Sequence, residues 1–159
     1  ATISCPHSYP LFYEALNLSR DDKLLEVGTG SGYGAALAAE IIGSKGCVVT
    51  VEIDSETYRF AKENLHRLGY TDVEVVLGDG TYGYSAKSPF DKICITASCK
   101  KVPEPLIQQL KPGGRLITPV GPPTREQDLV LLAKEKGGEL KVNCLDKVLY
   151  VSLRGPYGF

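Results

Sequence analysis

Apolar and polar positions alternate in blocks along the first 120 residues. The runs 23–27, 47–52, 73–77, 92–96 and 115–119 are short, rich in β-branched and other apolar side chains, and bounded by Gly, Asp or Pro. Runs of this length with little internal alternation predict strands buried on both faces, as in a parallel sheet. Between the first two lies 31–42, alanine-rich and closed by Gly43, and between the next two lies 55–68. In the latter Ala61, Leu65 and Leu68 share a face while Arg59, Lys62, Glu63 and Arg67 cover others, which predicts a helix capped by Ser55 and stopped at Gly69. Strand then helix, repeated, predicts a Rossmann-like, doubly wound α/β fold whose sheet is mainly parallel. After Pro119 the pattern changes. The runs 129–134, 140–144 and 148–153, with a Gly137-Gly138 turn between the first two, predict hairpin-linked strands and an antiparallel C-terminal edge.

Length adds one constraint: 159 residues suit a single domain spanning 1–159 with a substantial core. Charge adds another. Eighteen basic and 19 acidic residues nearly cancel, without long blocks of one sign, which argues against a nucleic-acid or membrane-surface binder. Five cysteines, with no Cys-x-x-Cys, read as core thiols in a reducing compartment. His7 and His66 stand apart from any cysteine pair, so no metal site is expected. No apolar run approaches a bilayer span and no leader is recognisable, which predicts a cytoplasmic protein, expected to be monomeric. The absence of methionine means that the chain as given does not begin at a start codon.

The candidate chemistry begins where the first strand ends. Glu26 precedes Gly28-Thr29-Gly30-Ser31-Gly32, which leaves the strand and opens the first long helix. Glycines there let the backbone turn tightly and approach a ligand. Dinucleotide enzymes favour G-x-G-x-x-G, with a pyrophosphate on the helix N-terminus; here the glycines alternate as G-x-G-x-G. Glu52 ends the second strand, 24 positions after Gly28, where a carboxylate can accept from both hydroxyls of a ribose. Gly78-Asp79-Gly80 ends the third, placing Asp79 toward the crevice of a doubly wound sheet. An acidic pocket containing Glu26 and Asp79 suits a sulfonium better than a pyrophosphate.

Several segments, in order and covering essentially the whole chain, resemble the protein-L-isoaspartate (D-aspartate) O-methyltransferases, a family of class I S-adenosylmethionine-dependent enzymes. Thr2-Ile3-Ser4-Cys5-Pro6-His7 is similar to its T-I-S-A-P-H segment, and Leu25 to Tyr33 matches its glycine motif. Gly78-Asp79-Gly80-Thr81-Tyr82-Gly83-Tyr84, the Val102-Pro103-Glu104-Pro105-Leu106-Ile107 run with Lys111-Pro112-Gly113-Gly114, and Pro119-Val120-Gly121 agree as well. The resemblance implies methyl transfer from S-adenosyl-L-methionine to the free carboxylate of L-isoaspartyl and D-aspartyl residues in damaged proteins, with S-adenosyl-L-homocysteine as product. It implies that Ser4 is the active-site hydroxyl, that Thr2 and Ile3 line the methyl-transfer site, and that all three contact the cofactor. It further implies that Glu26, Gly28, Thr29, Gly30, Gly32, Glu52, Asp79 and Gly80 hold the cofactor, and that Tyr150 and Val151, with Thr2, meet the damaged peptide.

Three features depart from the family pattern. Its P-H-x-H is here Pro6-His7-Ser8-Tyr9, its V-P-L is Val151-Ser152-Leu153, and its helical N-terminal segment before T-I-S is not in the chain as given. Without that segment, slower turnover is expected. The carboxylate substrate is already ionised at neutral pH, so no general base is needed and Ser4 is read as an orienting donor. His7 is read as structural and His66 as solvent-facing. Three other functions compete. The first is a class I methyltransferase with another substrate, RNA, DNA or a small molecule, of which the base-methylating kind would carry D/N-P-P-Y/F where Thr96-Ala97-Ser98-Cys99 stands. A nicotinamide oxidoreductase conflicts with the glycine spacing; a lid-less non-catalytic cofactor-binding core is the third.

Overall fold

The computed structural model describes residues 6–159. Its centre is a seven-stranded sheet: β1 Lys23–Val27, β2 Cys47–Glu52, β3 Glu74–Leu77, β4 Phe90–Ile95, β5 Leu110–Val120, β6 Gln127–Lys134 and β7 Leu140–Val148, in spatial order β3-β2-β1-β4-β5-β6-β7. The first five strands pair in parallel and β5, β6 and β7 pair antiparallel. The fold is therefore the expected Rossmann-like one with an antiparallel edge. Chain order reverses at β1, which pairs with β2 on one side and β4 on the other, so a crevice opens at the carboxyl ends of these strands.

One layer of helices, α1 Ser8–Leu16, α2 Tyr33–Ile42 and α3 Ser55–Arg67, packs on the face bearing Leu24, Val48 and Cys94. The short α4 Glu104–Gln108 covers the opposite face, over Leu25, Val27 and Ile93. β1 shows why its run is continuously apolar: alternate side chains enter two different cores, and Glu26 is the one acidic side chain among them.

The sequence reading needs four corrections here. Asp54, not Ser55, caps α3: its carboxylate accepts the Thr57 N–H at 2.8 Å, and the chain then stops with Gly69 at φ +86°. Leu68, placed with Ala61 and Leu65 on the buried face, is two-thirds exposed because it lies in the capping turn. The expected strand 148–153 is not a third hairpin arm; β7 runs on to Val148, and the next residues join the sheet only through an isolated Ser98–Ser152 bridge. Cys144 is exposed on β7, whereas Cys94 and Cys99 are buried as expected, and Cys5 lies outside the described residues.

Candidate active site: a cleft at the strand ends

A cleft of about 250 Å³ opens at the carboxyl ends of β1, β2 and β4. Gly28, Gly30, Glu52 and Gly80 line it, as the sequence motifs predicted. Gly28 needs to be glycine twice over: its φ is +95°, and a Cβ there would lie 2.4 Å from Thr96 Oγ1. That hydroxyl donates to the Gly28 carbonyl at 2.8 Å, tying the loop to the end of β4.

Glu52 organises the loop. Its Oε2 accepts N–H groups from Thr29 at 3.1 Å and Gly30 at 3.2 Å, and its Oε1 accepts the Asp54 N–H at 3.1 Å. Glu52 is 8% exposed, so it presents a narrow face to the cleft while bracing the turn opposite.

Of the remaining sequence-predicted positions among the described residues, Val151 alone also lines the cleft. Thr29 offers the loop only its amide; its side chain is buried, with Oγ1 2.7 Å from the Thr50 hydroxyl. Gly32, at φ +86°, faces Leu65 across the α2–α3 contact. Asp79 turns its carboxylate onto Thr81, accepting from the amide at 2.9 Å and the hydroxyl at 2.7 Å, and so caps the 3₁₀ turn Gly80–Tyr82. A Cβ on Gly155 would lie 2.5 Å from that carboxylate, so the C-terminal segment passes directly over Asp79. Val151 lines the cleft and is 71% exposed, whereas the Tyr150 ring packs on Phe12, centroids 5.8 Å apart. Thr2, Ile3 and Ser4 lie outside the described residues. His7 and His66 are both exposed.

Glu26 is behind the cleft wall and fully buried. Register places it between Thr50 on β2 and Cys94 on β4. Thr50 Oγ1 donates to its Oε2 at 2.6 Å, while Oε1 is the one buried side-chain N or O atom among the described residues without a hydrogen-bond partner. Burial pushes its pKa up to about 8; the Thr50 hydrogen bond pulls down and the Glu52 charge pushes further up.

Sequence reasoning missed Thr96 and the segment 152–154, which line the cleft, whereas Tyr9, which stands where the family pattern has its second histidine and is the one residue left to make that histidine's contact, lines it as well. Tyr9 reaches it from α1, and its phenol is pushed far up by burial first and by the Glu26 charge second. The segment 152–154 arrives because Ser98 N–H donates to the Val151 carbonyl and Leu153 N–H to the Ser98 carbonyl, each at 2.7 Å. Only the apolar runs around these residues were available as signals, and they do not report long-range pairing.

A mainly parallel sheet that reverses at β1, an alternating glycine turn and an acid closing β2 together define a class I S-adenosylmethionine-dependent methyltransferase fold. A Thermotoga maritima S-adenosylmethionine-dependent O-methyltransferase, 19% identical, shares that fold over 94% of this chain and 64% of its own, with a TM-score of 0.68. The family model for protein-L-isoaspartate(D-aspartate) O-methyltransferase matches residues 1–157, and the chain belongs to that family. Among its relatives, protein-L-isoaspartate O-methyltransferase 2 of Archaeoglobus fulgidus is 46% identical over 99% of this chain and 71% of its own length. The protein-L-isoaspartate O-methyltransferase of Methanococcus aeolicus is 48% identical over 99% and 72%. A solved protein-L-isoaspartate O-methyltransferase superposes with a TM-score of 0.92 at 37% identity over 99% of this chain, which spans half of that longer chain.

Proposed function

We propose that this chain transfers the methyl group of S-adenosyl-L-methionine to the free carboxylate of L-isoaspartyl and D-aspartyl residues in damaged proteins, the step that initiates their repair. The observation that carries the reading is the family match across residues 1–157, and it is supported by Gly28 and Gly30 of the glycine motif lining the cleft. The residues present fit the cofactor. Gly28 and Gly30 leave room for it, Glu52 offers a carboxylate at the cleft edge, and the unpartnered oxygen of Glu26 lies behind the same wall. When bound, the cofactor supplies an electrophilic methyl group on a sulfonium. The chain's own work is to orient and to exclude water. Val51, Ile53 and Leu153 give the cleft apolar walls, which strip water from an incoming carboxylate and so favour its attack on a cation. Ser4 is assigned, from the family resemblance, as the hydroxyl that orients the substrate carboxylate, and Thr2, Tyr150 and Val151 as residues that meet the damaged peptide. The nearly balanced charge of the chain supports a protein substrate in preference to nucleic acid, and a monomer acting in the cytoplasm is the expected form.

Two measurements test this. With S-adenosyl-L-methionine carrying a labelled methyl group, an isoaspartyl peptide is expected to become labelled while its aspartyl counterpart does not; equal labelling of the two contradicts the reading. In calorimetry, Glu52→Ala is expected to weaken cofactor binding at least about tenfold, roughly 1.4 kcal/mol. Unchanged affinity, or preference for NAD, removes Glu52 from the cofactor site.

A further inference from the structure

Glu26 combines three conditions that rarely coexist in a carboxylate. It is fully buried, it receives one hydrogen bond where an ionised carboxylate could accept several, and no cation among the described residues faces it. From α1 the groups around it are the Tyr9 and Tyr13 phenols, from β4 the Cys94 thiol, from β2 Thr50 and the Glu52 carboxylate. Each phenol and the thiol has its ionisation pushed up, burial being the larger cause and Glu26 the next, so all three stay neutral, and none of these groups can carry positive charge. The α2 helix contributes only backbone: Gly34 faces Glu26 Oε1, and a Cβ there would lie 2.3 Å from that oxygen and 2.2 Å from Tyr9 Cε1. An ionised carboxylate in such a place is far more costly than a neutral acid.

What separates this acid from the cleft is thin. Tyr9 touches the Gly34 position beside Glu26 Oε1 and also lines the cleft, and Glu26 is joined to the cleft-lining Gly28 through Val27. A cation entering the cleft would approach an acid whose Oε1 has no hydrogen-bond partner.

We propose that cofactor binding to this protein is coupled to ionisation of Glu26: the free protein holds Glu26 as the neutral acid, and the cationic end of the cofactor converts it into a buried counter-charge. The inference rests on the cleft being the S-adenosyl-L-methionine site. The O–H bond of the carboxyl breaks, its electron pair stays on Glu26, and the proton passes to solvent, so one positive charge leaves as one arrives. The shifted ionisation of Glu26 places the effect in the neutral range: below about pH 8 the carboxyl is protonated and has a proton to release, and above it the carboxyl is already ionised and releases none.

The experiment is calorimetric titration of the whole chain with S-adenosyl-L-methionine at pH 7, repeated in buffers of different ionisation enthalpy. Wild type is expected to release close to one more proton per cofactor than Glu26→Gln does, the variant accounting for titration of the ligand itself, and this excess is expected to vanish above about pH 9. Equal proton release by the two proteins at pH 7 overturns the proposal. Infrared difference spectra give a second readout that needs no variant: a protonated-carboxyl band present in the free protein is expected to disappear on binding. Its absence from the free protein overturns the proposal even where the cofactor binds well. Failure of the cofactor to bind either protein overturns the reading of the cleft instead, and the coupling with it.

Discussion

At the scale of single residues, Gly34 shows how closely the cleft wall is packed. It lies in the first turn of α2 with ordinary helical backbone, so a side chain there meets no conformational penalty, and Ala is intrinsically the better helix former by about 1 kcal/mol. Space decides the outcome against that preference. A Cβ would sit 2.2 Å from the Tyr9 ring and 2.3 Å from Glu26 Oε1, and neither can retreat: Tyr9 is held between Tyr13 and Tyr33, with centroids 6.0 and 5.7 Å away, and Glu26 is fixed in the sheet. Gly34→Ala is therefore expected to destabilise the protein by about 1–3 kcal/mol in urea unfolding. Tyr9→Leu, which removes the ring, should shrink the penalty in the double variant, as expected for residues in contact. A Gly34→Ala protein as stable as wild type would show that the wall yields. Gly28 differs in kind, because its positive φ penalises any side chain even after the neighbouring Thr96 hydroxyl is removed.

At the scale of elements, α1 is the piece that the sequence least announced and the cleft most needs. Tyr9, Phe12, Tyr13 and Leu16 form a buried stripe at helical spacing, and Tyr13 donates its hydroxyl to the Gly34 carbonyl at 2.8 Å. Arg115 from β5 reaches across to the Ala15 carbonyl at 3.0 Å. Phe12 is nearly sealed and meets the Tyr150 ring, so Phe12→Ala is expected to cost about 3–5 kcal/mol in chemical unfolding and to loosen Tyr9 at the cleft. A loss below about 1 kcal/mol would mean that α1 is not anchored through this ring. The five parallel strands were legible because a strand buried on both faces writes itself as an unbroken apolar run. The α1 helix was not read, since it is short and Pro10 sits in its first turn, where a missing N–H does no harm. The α4 helix, five residues flanked by Pro103, has no room for a period. In the site, Gly28, Gly30, Glu52 and Gly80 were visible because their constraints are local. The inward turn of Thr29 and the docking of 152–154 on Ser98 depend on partners tens of residues away, which no spacing records.

At the scale of the whole molecule, the buried acid should leave its mark on stability. Glu26 has a folded-state pKa raised to about 8 from an ordinary 4.5, so between these values the folded protein keeps a proton that the unfolded chain releases. Its contribution is then fully present below about pH 4.5 and is lost as pH rises to 8, with a slope of up to about 1.4 kcal/mol per pH unit. Asp91 acts with the opposite sign. Burial pushes its pKa up, but the Lys111 ammonium at 2.8 Å and the Lys23 N–H at 2.8 Å outweigh it and hold the carboxyl below its ordinary 3.8. Stability from that pair is present above the unfolded value and is lost as pH falls through the folded one. Together the two groups set a maximum for the cofactor-free protein near about pH 4–5, with a decline toward pH 8. Glu26→Gln removes the titrating proton while keeping the shape, so its thermal midpoint is expected to stay nearly level from pH 5 to 8 while that of wild type falls. Parallel curves for the two proteins over this range would show that Glu26 is not the buried acid responsible. Saturating S-adenosyl-L-methionine should act in the other direction on wild type: a bound cation that ionises Glu26 stabilises the folded state more as pH approaches 8, because the proton it must displace is by then held less tightly.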